Sequence, residues 1–216
     1  MRLCIFLLFA SGSVFARFCE HPLRNSVTDP VWLAGAGALC CFLVLDDDVE
    51  REFSHQLLPG PVARAADFYG KGLNYALAAA FAGMKDFRCK GSEKDRWQGF
   101  KRLSEAYAAT LVATAGLKYT VRRTRPNGEN RTSFPSGHTS GSFAIAMVLQ
   151  ELYGNPAGIP AFILAGLTGM QRLHARKHWL TDVLAGALLG SMIGKGFAET
   201  RCDGNRNFVI SYSIVF

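Results

Sequence analysis

Six stretches of mostly apolar residues, at 31–45, 68–84, 106–118, 140–153, 160–170 and 180–198, are separated by short charged or Gly/Pro-containing segments. Their Ala, Gly and Leu content and their spacing predict helices rather than strands, so the expected fold class is all-α: a bundle of about six core helices. Thr28, Asp29 and Pro30 are placed to cap and open the first helix, which the acidic triplet Asp46, Asp47, Asp48 is expected to stop. Ser92 with Asp95 three residues later resembles a capping box. It is expected to open a long helix that runs through Trp97 to the Ala-rich stretch and ends at Pro126. Gly154, Asn155 and Pro156 form a clear break.

Both ends depart from this pattern. The first 16 residues carry Arg2, a short apolar run and then Val14 and Ala16 at small-x-small spacing, which reads as a signal peptide ahead of one domain at 17–216. At the other end, Phe208, Ile210, Tyr212, Ile214 and Phe216 alternate as one face of a strand, read as a strand-like tail lying along the bundle.

Composition narrows the class. The 216 residues are 49% hydrophobic and 19% charged, which excludes a disordered chain and suits a full core. Twenty-four Lys and Arg against 17 Asp and Glu give a net charge of +7, so anionic partners are expected. The mean hydropathy is +0.11, and most apolar blocks are shorter than the roughly 20 residues of a spanning helix. The expected location is therefore the cell envelope, as an exported bundle, periplasmic or membrane-associated, with an integral inner-membrane protein of several spans as the alternative. Cys40 and Cys41 lie in an apolar block and are expected to pack there. Cys19, Cys89 and Cys202 lie in polar surroundings, where one disulfide among the three fits an oxidising compartment. No CxxC spacing occurs, which argues against a redox motif or zinc ribbon.

Three clusters between 118 and 182 carry candidate chemistry. KYTVRRTRP holds Lys118, Arg122, Arg123 and Arg125 without an acid. SFPSGHTSGS places Pro135, Ser136, Gly137 and His138 in a turn that opens an apolar helix, and QRLHARKHWLTD holds Arg172, His174, His178 and Asp182. Phosphoryl transfer needs cations for the equatorial oxygens, an in-line nucleophile and a proton for the leaving oxygen. Lys118, Arg125 and Arg172 are candidate clamps, and the amides of Ser136, Gly137 and His138 a candidate anion site. His178 and Asp182 are four residues apart, so in a helical turn the carboxylate could hold one ring N–H while the other nitrogen attacks. His138 would then serve as general acid.

The order K-x6-RP, PSGH, R-x5-H-x3-D resembles the tripartite signature of the type 2 phosphatidic acid phosphatase and vanadium haloperoxidase superfamily. One departure is Gln171, where the family usually has Ser. The resemblance implies a phosphatase with no metal or other cofactor. In it His178 forms a phosphohistidine, Asp182 orients it and His138 protonates the leaving group. Lys118, Arg125 and Arg172 hold the phosphate, with hydrogen bonds from Ser136 and Gly137. The implied partner is a phosphorylated lipid (phosphatidate, isoprenyl pyrophosphate or lipid A type) or a small phosphate ester, with membrane contact and no nucleic acid.

Other readings compete. A vanadate-dependent haloperoxidase would use the same clamp. The basic run at 118–131 could serve a non-enzymatic protein as an anion, nucleic-acid or membrane patch, but such a protein has no use for PSGH or the His178–Asp182 spacing. His174, His178 and Asp182 could form a metal-binding row on one helix face. Arg122 and Arg123 fall outside the signature and are expected to line the approach, to contact lipid headgroups or to form a solvated helix end. His21 and His55 read as surface residues. Trp97 and Trp179 read as core or interface aromatics, with Trp179 as a possible pocket wall.

Overall fold

The computed structural model describes residues 46–53, 57–88 and 97–199. The first helical block, the capping-box residues, His21, His55, the three polar-context cysteines and both chain ends lie outside them. The described elements are α1 (Asp46–Phe53), α2 (Gly60–Phe68), a π-helical turn (Tyr69–Leu73), α3 (Asn74–Arg88), α4 (Gln98–Val121), α5 (Gly137–Tyr153), α6 (Asn155–His174) and α7 (Leu180–Glu199). The fold is all-α, with no strand among the described residues.

Several boundaries differ from expectation, each for a local reason. The acidic triplet forms the first described turn of α1, and Asp46 is buried there; the helix expected to stop at it lies outside the described residues. The apolar block at 68–84 is two helices joined through the π turn, because Gly72 takes φ 123°, a conformation open to glycine. Trp97 sits at φ 70°, so α4 starts after it rather than running through it. Its other end comes at Val121, where Arg122 turns left-handed at φ 53° and donates its N–H to the Lys118 carbonyl. The helix thus stops before Pro126. Gly154 alone makes the break before α6, whose first turn takes in Pro156 and whose interior contains Pro160. The helices accordingly outrun their apolar blocks, with 24 residues in α4 and 20 each in α6 and α7.

α5 is the central helix, packed along α7, α6 and α4. The core combines a few large side chains (Leu103, Ile145, Val148, Ile193, Phe197) with many alanines, which lets helix axes come close. The closest approach is α7 on α5. A β-carbon at Gly186, Gly190 or Gly194 would fall 2.7, 2.1 or 2.6 Å from the carbonyl oxygens of Ser136, Ser140 and Ala144. Arg102 closes the far end of α7 by donating from Nη1 to the Ala198 carbonyl at 2.8 Å. This packing sets the start of α5 against the start of α7, where the sequence places PSGH and Asp182.

Candidate active site

His178 lies just ahead of α7 and is 4% exposed, and Asp182 in the first turn of α7 is fully buried. The expected pairing of the two is not a direct hydrogen bond: Nδ1 of His178 is 3.7 Å from Asp182 Oδ2. That nitrogen instead lies 2.7 Å from the Ser133 carbonyl, an oxygen that accepts the Nδ1 proton. His178 precedes the helix, so the four-residue spacing does not stack its ring on the carboxylate. Asp182 acts at one remove. Its Oδ2 accepts from the Ser133 hydroxyl and from the Trp179 amide at 2.9 Å, fixing the residue that holds the imidazole.

The charge on Asp182 is met by Arg123. Its Nη1 lies 2.9 Å from Asp182 Oδ1 and 2.6 Å from the Thr181 hydroxyl, and its Nη2 lies 2.6 Å from Asp46 Oδ2. Asp46 also accepts from the Thr181 amide at 2.9 Å. The guanidinium stands 5.2 Å from the centre of the Trp179 ring, and Trp179 donates from Nε1 to the Thr124 carbonyl. Arg123 therefore does not line an approach path but joins α1, the 122–136 loop and α7. Arg122, beside it, is exposed as expected.

Lys118 and Arg125 flank the histidines. Lys118 donates to the Thr132 carbonyl at 2.5 Å, and its Cε lies 3.8 Å from the point where a β-carbon on Gly137 would stand. Burial, then the neighbouring Arg125, lowers the Lys118 ammonium to about 8. Burial first, with Lys118 and Arg125 adding to it and Asp182 opposing, lowers His178 to about 4, so its ring is neutral at pH 7. His138, in the first turn of α5, is pushed below 6.5 by burial and then by Lys71, Lys118 and Arg125.

Ser136 departs from its expected place in an anion site. Its amide donates to the Asp182 carbonyl at 3.0 Å and its hydroxyl pairs with Thr139 at 2.9 Å, so it ties α5 to α7. Gly137 and His138 remain in the first turn, where amides have no partner within the helix. Arg172 also stands differently. Its Nη2 pairs with Asp67, and its Nε donates to Gln171 Oε1, so Gln171 accepts a bond from the arginine that follows it. Asp67 also pairs with Lys71 at 2.5 Å.

Sequence reading missed Arg123, Asp46, Ser133, Asp67 and Gly70. A β-carbon at Gly70 would fall 2.7 Å from Thr168 Cγ2 and 3.1 Å from His138 Cδ2, so a glycine there seats the π turn against His138. The buried acid at Asp46 gave one usable signal, since a charge next to an apolar block calls for a partner. The metal-binding row is not formed. Among the described residues no group of three His, Cys, Asp or Glu side chains is placed to hold a metal ion.

An all-helical scaffold thus gathers two histidines, Lys118 and Arg125 around a buried carboxylate network. Comparison with known proteins narrows the class. Residues 100–202, which contain every site residue expected from the sequence, match the PAP2 superfamily. The lipid A 1-phosphatase of Porphyromonas gingivalis is 36% identical over 183 residues, taking in 81% of this chain and 38% of that protein. The chain thus spans well under half the length of this curated relative. LpxE of Aquifex aeolicus superposes with a TM-score of 0.57 at 25% identity, over 69% of this chain and 92% of that one. The transmembrane PAP2 type phosphatidylglycerolphosphate phosphatase of Bacillus subtilis shares the fold, with a TM-score of 0.62 at 21% identity, over 86% and 99%. The chain belongs to the PAP2 superfamily.

Proposed function

We propose that this chain hydrolyses the phosphate monoester of a membrane lipid through a phosphohistidine at His178, with a lipid A-type substrate favoured by the 36% identical relative. One observation carries the reading. The buried His178 has its Nδ1 proton held by the Ser133 carbonyl, which leaves the Nε2 lone pair free to attack. Nε2 attacks phosphorus as the bond to the leaving oxygen breaks, and that oxygen takes a proton from His138. A water molecule, deprotonated by His138, then attacks the phosphohistidine and releases inorganic phosphate. Lys118, Arg125 and Arg172 stabilise the transferring group by charge, and Gly137 lets it approach the start of α5. Arg172 exchanges its bond to Asp67 for the phosphate.

Large apolar side chains left exposed on α3 (Leu77, Met84), α4 (Leu111, Val112) and α6 (Ile159, Ile163, Leu164) support contact with lipid acyl chains. Among the described residues, Leu180–Ala198 of α7 is long and apolar enough to cross a membrane, and it is mostly buried inside the bundle. Action at the envelope, after export by the first 16 residues, completes the proposal.

Phosphate release from lipid A, phosphatidate, isoprenyl pyrophosphate and a soluble ester tests it. Wild-type protein is expected to release phosphate from at least one lipid, in EDTA as well as without it, and to yield an acid-labile labelled protein. Activity in a His178→Ala variant, or loss in EDTA that zinc restores, overturns the mechanism.

A further inference from the structure

Beside the phosphate clamp a cleft of about 630 Å³ opens between α2, the π turn and the end of α6. Arg64, Lys71, Arg172 and Lys177 line it, with Asp67 as its one acid. Arg64, Asp67, Phe68 and Lys71 recur at helical spacing, so α2 turns one face to the cleft. Three of the four cations are paired: Lys177 with Glu129, and Arg172 and Lys71 with the shared Asp67. Lys71 reaches Asp67 with its side chain 61% exposed, and Arg64 is likewise exposed at the cleft.

The position of this charge matters. Gly70 packs on His138, and Lys71, the next residue, contributes to the field at that histidine. His138 protonates the leaving oxygen in the proposed reaction, so the leaving group must lie on the His138 side, towards the cleft.

We propose that Lys71 and Arg64 form a second anion subsite that binds a negatively charged group carried by the leaving group itself, such as a second phosphate or a phosphodiester. The subsite rests on the phosphatase reading above and makes these two residues determinants of specificity. Lys71 gives up Asp67 for the ligand, as its exposure allows, while Arg172 turns to the transferring phosphate.

The test compares two lipids in detergent micelles. Phosphatidylglycerophosphate leaves a product that keeps a phosphodiester anion, and phosphatidate leaves an uncharged diacylglycerol. The ratio of their kcat/KM values is expected to fall about tenfold in a Lys71→Ala, Arg64→Ala double variant, mainly through KM for the charged lipid. Inorganic diphosphate should inhibit wild type more strongly than orthophosphate, and that preference should shrink in the variant. An equal loss on both lipids, or an unchanged ratio, overturns the subsite. Failure of wild type to release phosphate from any lipid overturns the phosphatase reading instead. Both side chains are exposed, so the variant is expected to fold, and a thermal melt confirms it.

Discussion

His178 and Asp182 are buried at 4% and 0% exposure, whereas the Lys71 and Asp67 side chains on the opposite flank of the site are 61% and 25% exposed. On the first flank each charge has fixed partners: Asp182 meets Arg123, Arg123 meets Asp46, and Ser133 binds both Asp182 and the imidazole. On the second flank a single carboxylate is shared by two cations on different elements. Buried charges in low dielectric are costly to move, while exposed ones exchange partners readily. The proposed nucleophile is thus pre-set, and the proposed leaving-group side is free to adapt to what it binds.

Removing the proposed nucleophile should break this contrast most severely. His178→Ala is expected to lower phosphate release by at least about a thousandfold, with the helical circular dichroism spectrum retained. Arg123→Ala strips both Asp46 and Asp182 of their counter-charge. A loss of about 3 kcal/mol is expected from breaking such a buried pair, read from denaturant unfolding. Because Arg123 acts through Asp182, its loss should lower kcat with little change in KM, and equal effects on both would point to direct substrate contact.

Gly70→Ala probes the adaptable flank from behind. Its methyl group would crowd Thr168 and His138, and overpacking of this kind costs roughly 1–3 kcal/mol. The expected signature is a reduced rate with an unfilled subsite as well as a filled one, which separates it from Lys71→Ala.

Acidity sharpens the same comparison. Attack requires neutral His178, held near 4, and protonation requires charged His138, itself below 6.5. The kcat/KM profile is therefore expected to be bell-shaped, its acid limb set by His178 and its alkaline limb by His138. Stability follows His178 separately. Its folded-state value lies below its unfolded one, so the contribution is fully present above pH 6.5 and is lost progressively as pH falls towards 4. Urea midpoints at pH 7.5 and 5 check the sign, and a His178→Gln variant should show a weaker dependence. The smallest effect is expected at the rim. Lys177→Ala breaks an exposed pair with Glu129 and should leave the thermal midpoint within the scatter of repeat melts.

Much of this arrangement was legible in the sequence. Apolar blocks announced α5 and α7 nearly to the residue, and the three charged clusters named the residues that flank the site. What escaped is what sequence distance hides. Nothing distinguishes Arg123 from Arg122 in a run of basic residues; a left-handed turn at Arg122 sends one outward and the other inward. Thr181 and Asp46 are 135 positions apart, yet share two hydrogen bonds. The helix expected to run through Trp97 begins only after it, because Trp97 itself takes a positive φ that no local pattern announced. The boundary at Gly72 was invisible for a related reason: glycine is equally at home in an apolar helix and at a kink.

Ser133 carries one more consequence. Its amide donates to the Arg123 carbonyl at 3.0 Å, its hydroxyl binds Asp182 and its carbonyl holds His178, so all three of its polar groups are taken. Three residues later the Ser136 amide is tied to Asp182 as well. The stretch between them therefore has a fixed length, and one residue more or fewer would unfasten an end. On the other side, the turn around Asn127 and Gly128 is exposed. Insertions there should be absorbed, so tolerance to changes in loop length should switch off sharply at Ser133.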